Sequence, residues 1–437
     1  MDYRKYMMGQ EGFNPEEIIK MNDQDQSPQN TDQPNEEVEA NQSFEHPVSE
    51  GAIGDKGEEA SFDADFDMDI DIPDIPIPSA EPEEKAVEDT FKSAFKIAVV
   101  GVGQGGGRLA ETFWKIGYRR VLCINTAAQD LSTIKIPEEN KLLIGGQGAG
   151  KNPAKAKEIF RSNYEDILDF CRKHFTGGFD RVLVCIGAGG GTGAGGGPVV
   201  IEALHDLAKS LGIEDSPTDA KVGSIVALPT RAEGSRVQDN AENSAGEVVQ
   251  MVNDKTVSPL ILLDNEKIKQ IYPKLSINKF WTTANDSVVK LFHLFNQVSA
   301  QNSAYTTFDK ADLDTVFSSG IITFGAMPIT DDKISDAEIS GAIRQNLRRN
   351  ILAGIDLSTG SVAACVLMGG RDNLDNIPQD SIETAFEQLN RLLGDGSTVH
   401  RGIYSISKPG LMVYTAIGGL KCPDGLFDMF FKTERKY

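Results

Sequence analysis

The sequence predicts an α/β fold: a Rossmann-like parallel sheet, a long central helix and a smaller C-terminal α/β domain, preceded by a disordered acidic tail. Three observations predict it. Two apolar runs, Lys96-Ile97-Ala98-Val99-Val100 and Arg181-Val182-Leu183-Val184-Cys185-Ile186, each lead through a glycine-rich loop into an apolar helix. Val288, Leu291, Phe292, Phe295 and Val298 recur at helical spacing in a stretch running from about Thr283 to Ser303. Beyond residue 319, strand-like and helix-like stretches alternate, as in an α/β domain.

The tail is set apart by charge. The 437 residues carry a formal net charge of −22, and residues 1–90, with 26 acidic and 5 basic residues, account for −21 of it. So polar and charged a segment cannot bury enough apolar surface to offset its chain entropy, which predicts disorder over residues 1–95. Within it, Phe62 to Pro78 alternates acidic and apolar residues. That stretch is either a solubilising spacer or an extended motif on which an adaptor protein docks. The near-neutral body gives no charge argument for nucleic acid or membrane binding. No run approaches about eighteen apolar residues, and the N-terminus around Arg4 and Lys5 lacks a signal-peptide core. Cys123, Cys171, Cys185, Cys365 and Cys422 show no CxxC spacing, and the five histidines form no HExxH. Neither a protein-held metal nor a disulfide framework is expected, and reduced thiols suit a cytoplasmic chain.

The glycine loops come next. Gly187 to Pro198, with glycines at 189, 190, 191, 193, 195, 196 and 197, joins strand to helix without a spacer. Bare backbone N–H groups at a helix N-terminus suit a phosphate, and Thr192 adds a hydroxyl. A flexible linker is the plain alternative, but linkers are not bracketed by buried elements. Gly101, Gly103 and Gly106 satisfy GxGxxG, which admits a dinucleotide-binding oxidoreductase. That rival expects an acid at the tip of the following strand. Val121-Leu122-Cys123-Ile124 instead ends in Asn125-Thr126-Ala127-Ala128-Gln129. Gly148-Ala149-Gly150-Lys151-Asn152-Pro153 is, alone, an ordinary turn before a helix over 154–173. Trp281 and Asn285, four apart at a helix start, share one face. The indole is either a core aromatic or a stacking surface for a purine, whose edge the amide could pair.

As an ordered set these loops resemble the tubulin/FtsZ superfamily of GTPases, FtsZ-like proteins above all. Gly189-Gly190-Gly191-Thr192-Gly193 carries the signature, and Gly-Ala-Gly-x-Asn-Pro, Pro-x-x-x-Glu-Gly at 229–234 and Trp281-Thr282-Thr283-Ala284-Asn285-Asp286 follow in the family's order. The resemblance implies bound GTP or GDP with Mg²⁺. It places Gly103, Gln104, Gly105, Gly106, Arg108, Asn125, Gly148, Ala149, Gly150, Asn152, Gly189, Gly190, Gly191, Thr192 and Gly193 around the nucleotide. It adds Glu233 at the ribose, Arg236 toward phosphate, Asn265 reading the nucleotide, and Trp281 and Asn285 at the base. The chain departs from the pattern at four positions. Ala127 replaces an Asp, Val237 stands where an Arg is usual, Asp264 replaces a Pro and Thr307 an Asn.

Asp309 and Asp312 match the family's Asp-x-x-Asp, the catalytic pair of the resemblance; alone, two acids on a loop are a solvated turn or helix cap. A helix of about twenty residues, on the order of 30 Å long, separates them from Trp281 and Asn285. Acids so distant can act only on the nucleotide of a neighbouring subunit, and such a heterologous contact builds a filament rather than a closed oligomer. In the second half, strands are expected at 319–325 and 361–369, helices at 336–351 and 381–393, and a closing hairpin of 403–407 with 411–417. The expected organisation is therefore a tail at 1–95, a GTP-binding domain at 96–279, a central helix at 280–304 and an activation domain at 305–437. The implied function is a GTP-hydrolysing homopolymer in division or ring formation. A phage or plasmid filament that positions cargo, and a non-hydrolysing GTP-binding scaffold, are the alternatives. Gly425 to Lys432 is expected to pack on the body or dock a partner.

Overall fold

The computed structural model describes residues 88–214, 220–329, 336–348, 356–394, 396–407 and 410–422, all within one unit, Asp67–Tyr437. The acidic-apolar stretch Phe62–Pro78 and the segment Gly425–Lys432 lie outside the described residues.

The first apolar run forms β1 (Ile97–Val102) and passes directly into α1 (Gly103–Lys115). There follow β2 (Val121–Asn125), α2 (Ala128–Ser132), β3 (Lys141–Leu143), α3 (Pro153–Ser162), α4 (Tyr164–His174) and β4 (Arg181–Gly187). Then come α5 (Thr192–Ser210), β5 (Val222–Leu228), α6 (Ser235–Asn253), β6 (Leu260–Asp264) and α7 (Asn265–Ile271). The strands lie parallel in the order β3-β2-β1-β4-β5-β6. Every residue of β1, β2 and β6 is buried, as a parallel sheet covered by helices on both faces requires.

α8 (Ile277–Val298) and α9 (Lys310–Phe317) lead to the second half: β7 (Ile321–Ile329), α10 (Asp336–Arg348), β8 (Val362–Gly370), α11 (Arg371–Asp375), α12 (Gln379–Leu392), β9 (Thr398–Ile406) and β10 (Leu411–Leu420). These strands continue the same sheet in the order β7-β10-β8-β9. The seam is short, only Leu260↔Ile321 and Ile261↔Ile322 between β6 and β7. α8 reinforces it from one face. Phe292 stacks on Phe317 of α9 at 4.9 Å, and Phe295 on Phe324 of β7 at 5.6 Å.

Several expected elements differ. The helix expected over 154–173 is broken at Asn163, whose amide donates to the Ile159 carbonyl at 2.7 Å and ends α3. The central helix lies about six residues earlier than periodicity placed it. Its last turn closes at Ser299, and the chain beyond is tied to β9 instead, through Ser303 Oγ to Ile403 O and Ile403 N to Thr306 O. The closing hairpin does not form. β10 slots antiparallel between β7 and β8, while β9 pairs parallel with β8 on its far side. Inserting the apolar β10 centrally buries both of its faces, which a two-stranded hairpin at the edge could not do.

The folded body also begins before residue 96. Asp89 accepts from the Arg119 N–H at 2.8 Å, and Phe91 meets Tyr118 and His293 edge-on. The Asn296 amide brackets Phe95, accepting from its N–H at 2.9 Å and donating to its carbonyl at 3.0 Å. Among the described residues no helix is long and apolar enough to cross a membrane.

Candidate functional site

In an open α/β sheet, ligands bind beyond the C-terminal ends of the strands. There the loops after β1, β4 and β5, the turn before α3 and the starts of α7 and α8 enclose a cavity of about 560 Å³. Gln104, Gly105, Arg108, Gly148, Ala149, Gly150, Gly189, Gly190, Gly191, Thr192, Gly193, Glu233, Asn265, Trp281 and Asn285 line it, together with Ala127, Asp130 and Lys151. Residues as far apart in the chain as Gln104 and Asn285 are brought together by the strand order and by the start of α8.

The glycines divide into two kinds. Gly103 turns the chain out of β1 with φ +72°, and a Cβ there would lie 2.9 Å from the Gly193 nitrogen. A Cβ on Gly191 would meet Asn152 N at 2.8 Å and Lys151 Cα at 3.1 Å. The three loops thus touch backbone to backbone, and Gly190, with nothing nearer than 3.8 Å, leaves room in the cavity. The other kind packs helices. A Cβ on Gly106 would strike the Cys185 carbonyl at 2.0 Å, and one on Gly195 the Pro153 carbonyl at the same distance. Gly196 and Gly197 lie against Phe160 and Ile186. Gly106 thus lets α1 pack against β4, and it does not line the cavity. α5 begins at Thr192, so much of the glycine run is helix interior and not loop.

Side chains finish the lining. The Thr126 and Thr192 hydroxyls lie 2.8 Å apart, joining the β2 tip to the start of α5. Gln104 donates to Asp130 at 3.3 Å. Asn265 is buried and lines the cavity, yet its Oδ1 has no hydrogen-bond partner; the Nδ2 of buried Asn125, at the end of β2, has none either. Buried polar atoms are normally paired, so the unpaired Asn265 Oδ1 in the cavity wall marks where a ligand's polar edge would complete it. Asp264 explains itself where the family has Pro. Its carboxylate caps α7, accepting from Glu266 N at 2.9 Å and Lys267 N at 3.2 Å, and presents Asn265. Burial holds that carboxyl above the usual carboxylate range. Glu233 closes a capping box with Thr230, accepting its N–H at 2.8 Å. Trp281 is half-buried in the cavity wall, edge-on to Phe280 at 5.1 Å.

Some expected residues fall outside. Asn152 caps α3 through its side chain, Arg236 is exposed in the first turn of α6, and Gly103 and Asn125 sit at the ends of β1 and β2; none of the four lines the cavity. Asp309 and Asp312 do not line it either. They form a reciprocal cap at the start of α9: Asp309 Oδ1 accepts from Ala311 N and Asp312 N, and Asp312 Oδ2 accepts from Asp309 N. His400 of β9 reaches Asp312 at 2.6 Å. Sequence reasoning missed Asp130 and Lys151. Lys151 was legible as the variable position inside a matched motif; Asp130 carried no signal, because its approach depends on how α2 turns.

Residues 96–273 match the Tubulin/FtsZ family, GTPase domain. The fold is the tubulin/FtsZ fold. The likeness first drawn from the loops therefore stands. Cell division protein FtsZ 1 of Pyrococcus furiosus is 27% identical over 308 residues, 69% of this chain and 75% of that protein. CetZ from Methanosaeta thermophila superposes with a TM-score of 0.60 at 26% identity, covering 77% of this chain and 90% of that one. TubZ of Bacillus thuringiensis serovar israelensis, solved as a GTPγS-form protofilament, gives a TM-score of 0.67 over 78% of this chain and 91% of its own. At 18% identity that last likeness is one of fold alone.

Proposed function

We propose that this chain is a GTP-dependent, self-assembling cytoskeletal protein that polymerises head-to-tail and hydrolyses GTP at the subunit interface. One observation carries the reading: a nucleotide-sized cavity complete within one chain, and an acid pair separated from it by the long α8. At about 1.5 Å per residue the 22 residues of α8 span roughly 33 Å. Trp281 and Asn285 lie near its start, and Asp309 and Asp312 beyond its end.

In this reading the indole stacks on guanine, Asn265 and Asn285 read its edge, Glu233 holds the ribose, and Gly189–Gly193 with Thr192 cradle the phosphates. Asp130 and Gln104 fit the water shell of a Mg²⁺ carried by the phosphates, where the ion would offset charge. Asp309 and Asp312 of the next subunit orient the attacking water. Protofilaments of TubZ and of Haloferax volcanii CetZ2 support assembly in this fold. The name of the Pyrococcus relatives supports a role in division or ring formation.

A non-hydrolysing GTP-binding scaffold is the second reading, favoured by Thr307, Ala127 and the engagement of both acids in a helix cap. Phosphate release measured against protein concentration, with negative-stain microscopy, separates the two. Turnover that appears only above an assembly threshold is expected. GTP binding without phosphate release at any concentration would favour the scaffold.

A further inference from the structure

One face of β9 is shaped to the chain that carries the acid pair. In a strand, residues two apart share a face, which puts His400, Gly402 and Tyr404 together. Tyr404 holds the Phe308 backbone through both its N–H and its carbonyl. Gly402 lets Phe308 come close, since a Cβ on that glycine would lie 2.9 Å from Phe308 Cβ. His400 stands edge-on to the Phe308 ring and reaches past it to Asp312, with Nδ1 2.6 Å from Oδ1.

The contact is sheltered: the His400 side chain is 16% exposed and that of Asp312 27%. A carboxylate accepts, so Nδ1 is the donating nitrogen. Nε2 is buried and has no hydrogen-bond partner, which leaves the ring's hydrogen bonding directed wholly at Asp312. An apolar side chain would fill this strand position without burying an unpaired nitrogen, so packing alone does not call for histidine. Neighbouring cations are engaged elsewhere. Lys310 lies 3.7 Å from Asp180 and over the Phe95 ring, and Arg401 lies over Phe386. The other oxygen of Asp312 accepts from Asp309 N. A carboxylate released by His400 would therefore also loosen the Asp309 end of the cap.

We propose that His400 is a positioning residue for GTP turnover: its Nδ1–H fixes the plane of the Asp312 carboxylate, so that the acid pair meets the next subunit's nucleotide in one orientation. This rests on the reading of Asp309 and Asp312 as acids that act across the subunit interface. Losing that orientation raises the barrier to water attack and leaves nucleotide binding alone, because the cavity is built without these residues.

Variants of the full chain test it. His400→Leu fills the ring's place without a donor. His400→Asn carries an amide N–H where Nδ1 stands, and His400→Gln carries one where Nε2 stands. Phosphate release per subunit above the assembly threshold, the threshold itself and monomer affinity for GTP by calorimetry are measured for each. Turnover should fall by about tenfold or more in His400→Leu and His400→Gln, the worth of one hydrogen bond to a charged group. His400→Asn should retain most of it. Threshold and monomer affinity should stay within about twofold in all of them, as for a group that acts only in the transition state.

Wild-type turnover in His400→Leu overturns the inference. So does an equal fall in His400→Asn and His400→Gln, since the ring would then serve packing against Phe308 rather than the bond to Asp312. If His400→Leu does not fold, the comparison of His400→Asn with His400→Gln decides. A wild-type chain that releases no phosphate, or turnover that survives Asp309→Asn with Asp312→Asn, instead overturns the reading of the acid pair.

Discussion

The cavity and the start of α9 are built by opposite means. Around the cavity, backbones from three loops touch one another at glycines, and the Oδ1 of buried Asn265 is left unpaired. At α9 both acids have partners within their own chain: Asp309 Oδ1 with two N–H groups, Asp312 with an N–H and His400. Phe308 just before them is gripped at both ends by Tyr404, whose hydroxyl accepts its N–H at 2.8 Å and donates to its carbonyl at 3.1 Å. The cavity leaves a polar atom unpaired, whereas the acid pair is held by the helix cap at the surface. In the proposed reading, that difference divides the chemistry between two sites that one subunit does not bring together.

The largest effect should come from breaking that division. Asp309→Asn with Asp312→Asn keeps acceptors for the helix cap but removes both carboxylates. GTP turnover should fall by a factor of at least about a hundred, the ordinary worth of a positioned acid or base. Monomer affinity for GTP should not change, and filaments should form and persist. Mixing this variant with one altered at Thr192 and Gly193, which lacks nucleotide but has good carboxylates, should restore part of the activity. Full turnover by the carboxylate variant alone would end the two-subunit account.

The base wall comes second. Trp281→Ala should cost about 1–3 kcal/mol of guanine-nucleotide affinity, the usual worth of a base stacked on an aromatic ring. Titration of monomer by calorimetry checks it, and unchanged affinity would assign the indole to packing against Phe280.

The smallest effect concerns α8, the spacer between the two regions. His293 on α8 is buried against Phe91 and Tyr118, and burial pushes its imidazole down to about 4. The unfolded chain takes up that proton near pH 6.5 while the folded chain does not. The neutral histidine's contribution is therefore complete above about 6.5 and is lost as pH falls toward 4. Between pH 6.5 and 5, wild-type protein should lose about 2 kcal/mol that His293→Gln does not. Denaturant midpoints at the two pH values measure it, and equal losses would place the acid sensitivity elsewhere.

Much of this was legible in the chain. Strand, glycine loop and helix repeat at 96–109 and 181–204 because a turn that admits only glycine leaves a mark in composition. The cavity-lining residues of the matched motifs could be named for the same reason. What the sequence did not show was whatever depended on a neighbour. Gly106 and Gly195 carry the same letter as Gly190, yet they exist to let helices approach Cys185 and Pro153. Arg236 is exposed in the first turn of α6, which begins directly after Gly234, and no spacing rule reveals which way that turn faces.

By itself, then, the sequence determined the parallel half of the sheet, the glycine loops, the amphipathic central helix and the charge of the tail. Each is written in local periodicity or in residues with unusual backbone freedom. Only the tertiary structure decided that β10 inserts between β7 and β8, because pairing partners depend on which strand gains burial on both faces. It decided too that Arg181, which reads as the polar end of a strand, is 1% exposed and reaches Asp314 of α9 at 2.6 Å. A buried charge is tolerable only beside its partner, and that partner lies 133 positions along the chain.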